Sequence, residues 1–304
     1  MKILMTGSTG FIGRNLASLG IIHRHIVRSD DKHDYQSFFT IDSLGIDTDW
    51  EGAFDGIDVV IHLAGLAHSS KFSDHDYESV NVAGALRLAR EASEQGARRF
   101  VFVSSIGVNG TCTSEKRFSV NSLANPHNEY AKSKYKAELG LKKIAEETGL
   151  EVVIVRPTLV YGPEAPGNFG ILTKLVAKLP FLPFGLANNK RDFIAVQNLV
   201  DLLVNCALHP DAAGHTFLAS DGETVSIKEF TNAIAYGLGK KVVQLPVPVS
   251  VMRLVGKLTG KSAMIEQLYG NLEVDSSNIK EVLGWNPPLT MKEAMATLRD
   301  SGVK

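Results

Sequence analysis

Cysteine is almost missing from this chain: its 304 residues hold two, Cys112 and Cys206. Their positions form neither a disulfide framework nor a metal-ligand spacing, so two free thiols in a reducing cytoplasm are expected, and no metal site. Long apolar runs are missing too. Nothing approaches the roughly 18 uninterrupted apolar residues of a spanning helix, so no membrane span is expected. The N-terminal "MKILMTGSTGFIG" passes from a short apolar run straight into glycines, unlike a signal peptide. Nor does either charge predominate: 32 Lys and Arg stand against 33 Asp and Glu, for a net charge of −1. That balance gives no global pull toward nucleic acid or an anionic bilayer, so any anion must be held by a local site. There is no repeat, low-complexity tract or long charge run.

What is present is a rhythm of strand-length apolar runs: "KILMTG" (2–7), "HRHIVRS" (23–29), "DVVIHLAG" (58–65), "RRFVFVSS" (98–105) and "EVVIVRPT" (151–158). Helical stretches separate them, including 76–97 and 126–149. Near-continuous β-branched runs alternating with helices predict an α/β fold, a Rossmann-type parallel sheet covered on both faces. The dinucleotide-binding domain is expected over 1–162 with roughly 191–223. A smaller C-terminal α/β substrate domain then takes 163–190 and 224–304, where the βαβ rhythm is lost. The segment "PVPVSVMRLVGKLTGKS" (246–262) is apolar with basic residues, and reads as a helix packed on the core in preference to a membrane-surface contact.

The first strand runs into Gly7-Ser8-Thr9-Gly10-Phe11-Ile12-Gly13 and then a helix. Glycines there let the backbone turn sharply and approach a pyrophosphate received by helix N-terminal N–H groups, which predicts a nicotinamide dinucleotide. At the end of the second strand an acidic residue would favour NAD and a basic one NADP. Arg28 comes first and leans the reading to NADP, while Asp30 and Asp31 follow and keep NAD open.

The stretch "NEYAKSKYKAE" (128–138) sets Tyr130 four residues before Lys134. On a helix such a pair shares one face, roughly 5–6 Å apart at Cβ, near enough for an ammonium to stabilise a phenolate. Asn125 or Asn128 is a candidate N-cap and Gly149 the stop. Tyr135 and Lys132 read as surface companions.

Taken in order, "TGSTGFIG", "DVVIHLAG", "VNVAG" around Asn81, "FVSSIGVNG", "YAKSK", "VRPTLVYGP", "RDFIAVQNLVD" and "EVLGWNPPLTMKEAM" resemble the extended short-chain dehydrogenase/reductase family, in its NAD(P)-dependent nucleotide-sugar epimerase/dehydratase branch. The resemblance covers nearly the whole chain. It implies that Tyr130 is the acid/base, that Lys134 lowers its pKa and binds the nicotinamide ribose, and that Ser105 hydrogen-bonds the reacting oxygen, with Ser104 packing near the cofactor. It implies further that Leu63, Ala64 and Gly65 line the dinucleotide, that Pro157 with Thr158 backs the nicotinamide, and that Arg191 holds a diphosphate. Asn168 would lie beside the sugar nucleotide or serve as a turn residue, and His68 would approach the sugar or face solvent. A UDP-sugar substrate and a homodimer, built partly on the apolar face of the Tyr130 helix, are implied as well.

Departures from the pattern narrow the chemistry. Dehydratases of the family carry Asp-Glu after the catalytic hydroxyl residue, where this chain has Ile106 and Gly107, neither able to transfer a proton. A second phosphate-binding arginine is missing from "YGNLEVDSSN" (269–278), with Arg253 a substitute from elsewhere, and Asn109 replaces a tyrosine. A 4-ketoreductase forming UDP-N-acetylquinovosamine-type sugars for surface polysaccharide is the expected activity, with a UDP-hexose 4-epimerase the alternative and a non-catalytic dinucleotide-sensing module a remote one.

Overall fold

A computed structural model of the chain describes residues 1–67 and 71–301, so His68 lies outside the described residues. Among these the strands are β1 (Ile3–Thr6), β2 (Arg24–Arg28), β3 (Phe38–Ile41), β4 (Val59–His62), β5 (Arg99–Val103), β6 (Glu151–Pro157), β7 (Leu159–Tyr161), β8 (Phe181–Leu182), β9 (Phe193–Ala195), β10 (Thr216–Ala219) and β11 (Val243–Gln244). The helices are α1 (Phe11–Ala17), α2 (Asp74–Tyr77), α3 (Ala85–Glu94), α4 (Glu129–Thr148), α5 (Gly167–Lys178), α6 (Val196–Leu208), α7 (Ile227–Gly237), α8 (Val249–Leu258), α9 (Ser262–Tyr269), α10 (Ser277–Leu283) and α11 (Met291–Ala296).

Seven strands form one parallel sheet in the order β10-β6-β5-β4-β1-β2-β3. Strand order reverses between β1 and β4, and in such sheets the crevice beyond the carboxyl ends at that reversal is where ligands bind. Period-two alternation sends Met5, Ile61, Val101 and Val153 to one face, packed with Leu199 and Leu203 of α6. Leu4, Val60, Phe100 and Ile154 go to the other, against Leu88 of α3 and Leu141 of α4. Both faces are dry, as the uninterrupted apolar runs require.

The C-terminal half adds its own apolar cluster, in which Tyr161, Phe169, Phe193 and Phe230 meet, the last two rings stacked with centroids 3.8 Å apart. Ile279 and Leu283 of α10 and Trp285 pack instead into the sheet's cluster.

Three details differ from the sequence reading. The helix expected over 76–97 is interrupted by a π turn, Glu78–Gly84, joining α2 to α3. Gly84 sits where a Cβ would come within 2.9 Å of the Leu44 side chain, and Asn81 within the turn is pulled onto Leu66 by hydrogen bonds in both directions. The apolar face of α4 is spent on the sheet through Ala137, Leu141 and Ile144, while its outer side carries Lys132, Lys136 and Lys143 beside an exposed Leu139. Helix α8 is far less covered than a core helix: of its residues Gly256 alone is fully buried.

Candidate active site

Helix α4 starts where Asn128 caps it, its side chain accepting from the Ala131 N–H at 2.8 Å, and stops at Gly149 in the left-handed region. Tyr130, Lys134 and Glu138 follow at successive turns and point into the protein, beside the carboxyl ends of β5 and β6. Tyr130 lies edge-on to Tyr77 with ring centroids 6.4 Å apart, and the Ser105 hydroxyl acts on its phenol. Burial pushes its phenol up to about 12, with the Ser105 hydroxyl pulling the other way.

Lys134 is buried, donates to the Val103 carbonyl at 3.0 Å, and lies 4.7 Å above the Phe102 ring. Desolvation brings its ammonium down to about 8, opposed by the Glu138 carboxylate one turn on. Lys134 is not among the groups that shift the Tyr130 phenol in this arrangement. The ammonium is drawn to the end of β5, and burial dominates the phenol.

Ser105 begins a short 3₁₀ turn, its oxygen accepting from the Gly107 N–H at 3.0 Å, while Ile106 is buried beneath. Behind it lies a network that sequence reading missed. Glu138 accepts from Ser104 and is clamped in fork geometry by Arg156, which also donates to Asn109 Oδ1 at 3.0 Å. All four side chains are buried. Asn109, whose replacement of tyrosine had no assigned consequence, thus accepts from the guanidinium, and Ser104 is tied to Glu138. The sequence signal for Glu138 was its place eight residues after Tyr130 on the same helical face.

The cofactor cradle is shaped by close backbone approach. Gly7 has φ +74°, and a Cβ there would fall 2.7 Å from the Ala64 nitrogen; one on Gly13 would fall 2.1 Å from the Gly7 carbonyl. Leu63 and Ala64 are bound to Thr6 through its carbonyl and hydroxyl, so the Gly7–Gly13 turn and the 63–65 segment form one surface. Gly10 is the extended N-cap of α1 with no side chain on the free N–H groups, and Phe11 and Ile12 fill the first turn. These features fit a dinucleotide pyrophosphate. Across the cradle, a Cβ on Gly65 would lie 3.4 Å from Lys134 Nζ, so the ammonium adjoins the 63–65 segment. Asn81 fixes this loop to α4, bonding Leu66 and Ser133.

Under the cradle His62 is fully buried; its Nδ1 shares a 2.7 Å hydrogen bond with the Thr6 hydroxyl, and its Nε2 has no hydrogen-bond partner among the described residues. Burial, then the Lys134 charge, brings it down to about 3, so it is neutral. Pro157 ends β6 beside Thr158, whose hydroxyl and amide both donate to the Ala219 carbonyl. At the end of β2 the Arg28 guanidinium is ion-paired with Asp31 at 2.9 Å and Asp30 at 3.6 Å, and Asp31 also accepts from Thr9 of the phosphate turn at 3.3 Å.

Arg191 is buried, and donates to the Gln267 and Gly270 carbonyls at the end of α9 at 2.7 and 3.0 Å. Burial lowers its guanidinium to about 10, and it has no carboxylate partner among the described residues. Asn168 is exposed in the first turn of α5 and makes no side-chain hydrogen bond among the described residues, so the structure does not draw it to Ser105 or Tyr130. Arg253 is also set apart, paired with Glu266 on the exposed side of α8 and α9. Among the described residues no group of three or more His, Cys, Asp or Glu could hold a metal ion.

The sequence profile of the NAD dependent epimerase/dehydratase family matches residues 3–220. A UDP-glucose 4-epimerase of Vibrio cholerae is 43% identical over 303 residues, 96% of this chain and 92% of its own length. More distant is the N-acetyl-alpha-D-glucosaminyl-diphospho-ditrans,octacis-undecaprenol 4-epimerase of Escherichia coli O157:H7, 24% identical and covering 97% of this chain and 93% of that one. Among solved structures, the UDP-glucose 4-epimerase of Thermotoga maritima with UDP-glucose shares the fold at a TM-score of 0.77, 22% identity, and 99% and 98% coverage. With a Gly-turn cradle, a Ser–Tyr–Lys constellation and a profile spanning most of its length, the chain belongs to the NAD dependent epimerase/dehydratase family.

Proposed function

We propose that this protein is an NAD-dependent epimerase acting at C4 of a UDP-linked hexose. The observation that carries this reading is the end of β2. Arg28 is neutralised by Asp30 and Asp31, and Asp31 reaches the phosphate turn, so a ribose 2′-phosphate would meet two carboxylates while a ribose diol would find an acceptor. That favours NAD, the recycled cofactor of an epimerase, over the NADPH a reductase consumes. The 43% identical Vibrio cholerae relative supports the same choice. The 4-ketoreductase suggested by sequence resemblance has no such support, and the epimerase alternative displaces it.

The dinucleotide, when bound, supplies a reversible hydride acceptor. Tyr130 and Ser105 hold the C4 oxygen between them. Tyr130 acts in its phenolate form as C4 is oxidised, taking the hydroxyl proton to become the phenol, and the phenol returns that proton when the ketone is reduced; the Ser105 hydroxyl favours the phenolate against the effect of burial. Lys134 orients the ribose. Arg191 receives the diphosphate, since a buried guanidinium already bonded to two carbonyls gains an anion without losing a carboxylate. Ile106 and Gly107 provide no second proton-transfer group, which keeps the reaction from running on to dehydration. The homodimer implied by the family is taken as the functional unit, and sedimentation tests it.

The deciding experiment is the nucleotide released on denaturing the purified protein, followed by turnover of UDP-glucose and its N-acetylated counterpart. Near-stoichiometric NAD and C4 inversion without net consumption of added cofactor are expected, with Tyr130→Phe slower by about 10²–10⁴-fold. Oxidation of added NADPH by a UDP-4-keto sugar, in a protein that retains no NAD, overturns the proposal.

A further inference from the structure

Helix α8 combines properties that a core helix or a solvent-facing helix does not share. Val249 and Met252 pack on the C-terminal apolar cluster, and at Gly256 a Cβ would come 2.7 Å from the Ile265 side chain of α9. These positions form the inner face. On the opposite face, at helical spacing, Val251, Leu254, Val255 and Leu258 are 45%, 57%, 45% and 78% exposed, and Met264 of the adjoining α9 is 44% exposed. An apolar stripe on a helix is ordinarily turned to a core; here α8 has one on each side, and the outer stripe lies open.

The charge around the stripe is one-sided. Between Glu229 and Glu266 the chain carries Lys240, Lys241, Arg253, Lys257 and Lys261 and no carboxylate, in a protein whose net charge is −1. Arg253 is paired with Glu266, while Lys257 and Lys261 have no ion-pair partner among the described residues. On the helical wheel Ser250, Arg253 and Lys257 lie along one flank of the apolar stripe, and Lys261 follows the C-terminal end of α8. Apolar side chains flanked by cations that can extend toward headgroups are what an interfacial helix requires.

We propose that the outer face of α8 docks on an anionic phospholipid bilayer, with Val251, Leu254, Val255 and Leu258 entering the headgroup–acyl boundary and Lys257 and Lys261 meeting lipid phosphates. A second copy of the chain is a poor occupant of this face. Two-fold pairing would set the cation-rich segment of one copy against that of the other, without a carboxylate from the same segment to offset it. The contact is a surface one: no helix among the described residues is long and apolar enough to cross a membrane.

The test is flotation of the full-length protein with vesicles of phosphatidylglycerol and phosphatidylethanolamine, and with phosphatidylcholine alone, at low and high salt. Leu254→Glu/Leu258→Glu and Lys257→Gln/Lys261→Gln are compared with wild type, together with sedimentation, melting temperature and turnover of soluble UDP-sugar. Wild type is expected to float with the anionic vesicles only, less at high salt, and each double variant to lose at least ~10-fold in vesicle affinity at unchanged melting temperature and turnover. Absence of flotation, or equal flotation by wild type and the Leu variant, overturns the proposal. So does a Leu variant that changes the oligomeric mass, which would assign the face to a second copy. Soluble turnover is read separately, so failure of the docking surface and failure of the epimerase reading are distinguishable.

Discussion

Two helices of this protein break the polar-outside, apolar-inside rule in opposite directions. Helix α4 turns a phenol, an ammonium and a carboxylate inward, at Tyr130, Lys134 and Glu138. Helix α8 turns Leu254 and Leu258 outward. The first inversion is compensated within the fold: Glu138 is clamped by Arg156, and Lys134 is held by the Val103 carbonyl and the Phe102 ring. The second has no compensation among the described residues. Buried charge is tolerated only with partners, whereas exposed apolar area persists without them and is satisfied by something outside. A functional group kept inside therefore leaves a network as its trace, and one kept outside leaves a bare stripe.

The largest expected effect tests the inner network. Glu138→Ala leaves the Arg156 guanidinium buried with Asn109 as its remaining side-chain partner and removes the acceptor of Ser104, at a cost of about 3–5 kcal/mol in chemical denaturation. Glu138→Gln keeps the shape and part of the bonding and is expected to lose less. Loss below about 1 kcal/mol in Glu138→Ala would show that the pair does not stabilise the fold, and the contrast between the helices would fail on its inner side.

Titration sharpens the same side. His62 is held at about 3 against an ordinary value of 6.5, so between those values the unfolded chain binds the proton and the folded one does not. Stability is accordingly full above 6.5 and falls as the pH drops toward 3, by up to about 1.4 kcal/mol per pH unit. Lys134, at about 8 against 10.5, gives the complementary window: below 8 the cost of burying its charge is fully present, and stability rises as the pH climbs from 8 to 10.5. Thermal melts across both ranges, on wild type, His62→Gln and Lys134→Met, should show each variant losing its own slope. An acid limb unchanged by His62→Gln assigns that slope to other groups.

Much of this was legible in the residues. The β-branched runs announced the parallel sheet, because strands buried on both faces must be apolar throughout, and the Gly7–Gly13 turn and the Tyr130–Lys134 spacing are local patterns. Glu138 was legible by its helical spacing alone, and not as a charge partner. In "KSKYKAELGLKK" it resembles another solvated glutamate, since its partner Arg156 comes from a strand packed beneath the helix. The fate of Arg28 was hidden in a different way. Its neighbours Asp30 and Asp31 were visible, but which charge the others would leave free depended on the turn after β2. For α8 the sequence showed an apolar helix and could not show how many elements would cover it. One face has the C-terminal cluster and α9; nothing in the chain lies over the other among the described residues.

The smallest expected effect is for that reason the most diagnostic of the outer inversion. Leu258 is 78% exposed and Leu141 on α4 is fully buried, so the same kind of truncation should separate them. Leu141→Ala deletes a side chain from the sheet–helix core and is expected to cost about 2–5 kcal/mol, whereas Leu258→Ser should move stability by no more than about 0.5 kcal/mol in either direction. Denaturant titration of both variants in the absence of lipid reads the difference directly. If Leu258→Ser costs as much as Leu141→Ala, the outer face of α8 is packed in solution, its stripe is core by another route, and the two helices no longer contrast. If the difference holds, the stripe contributes nothing to folding, and its apolar character calls for a partner outside the fold.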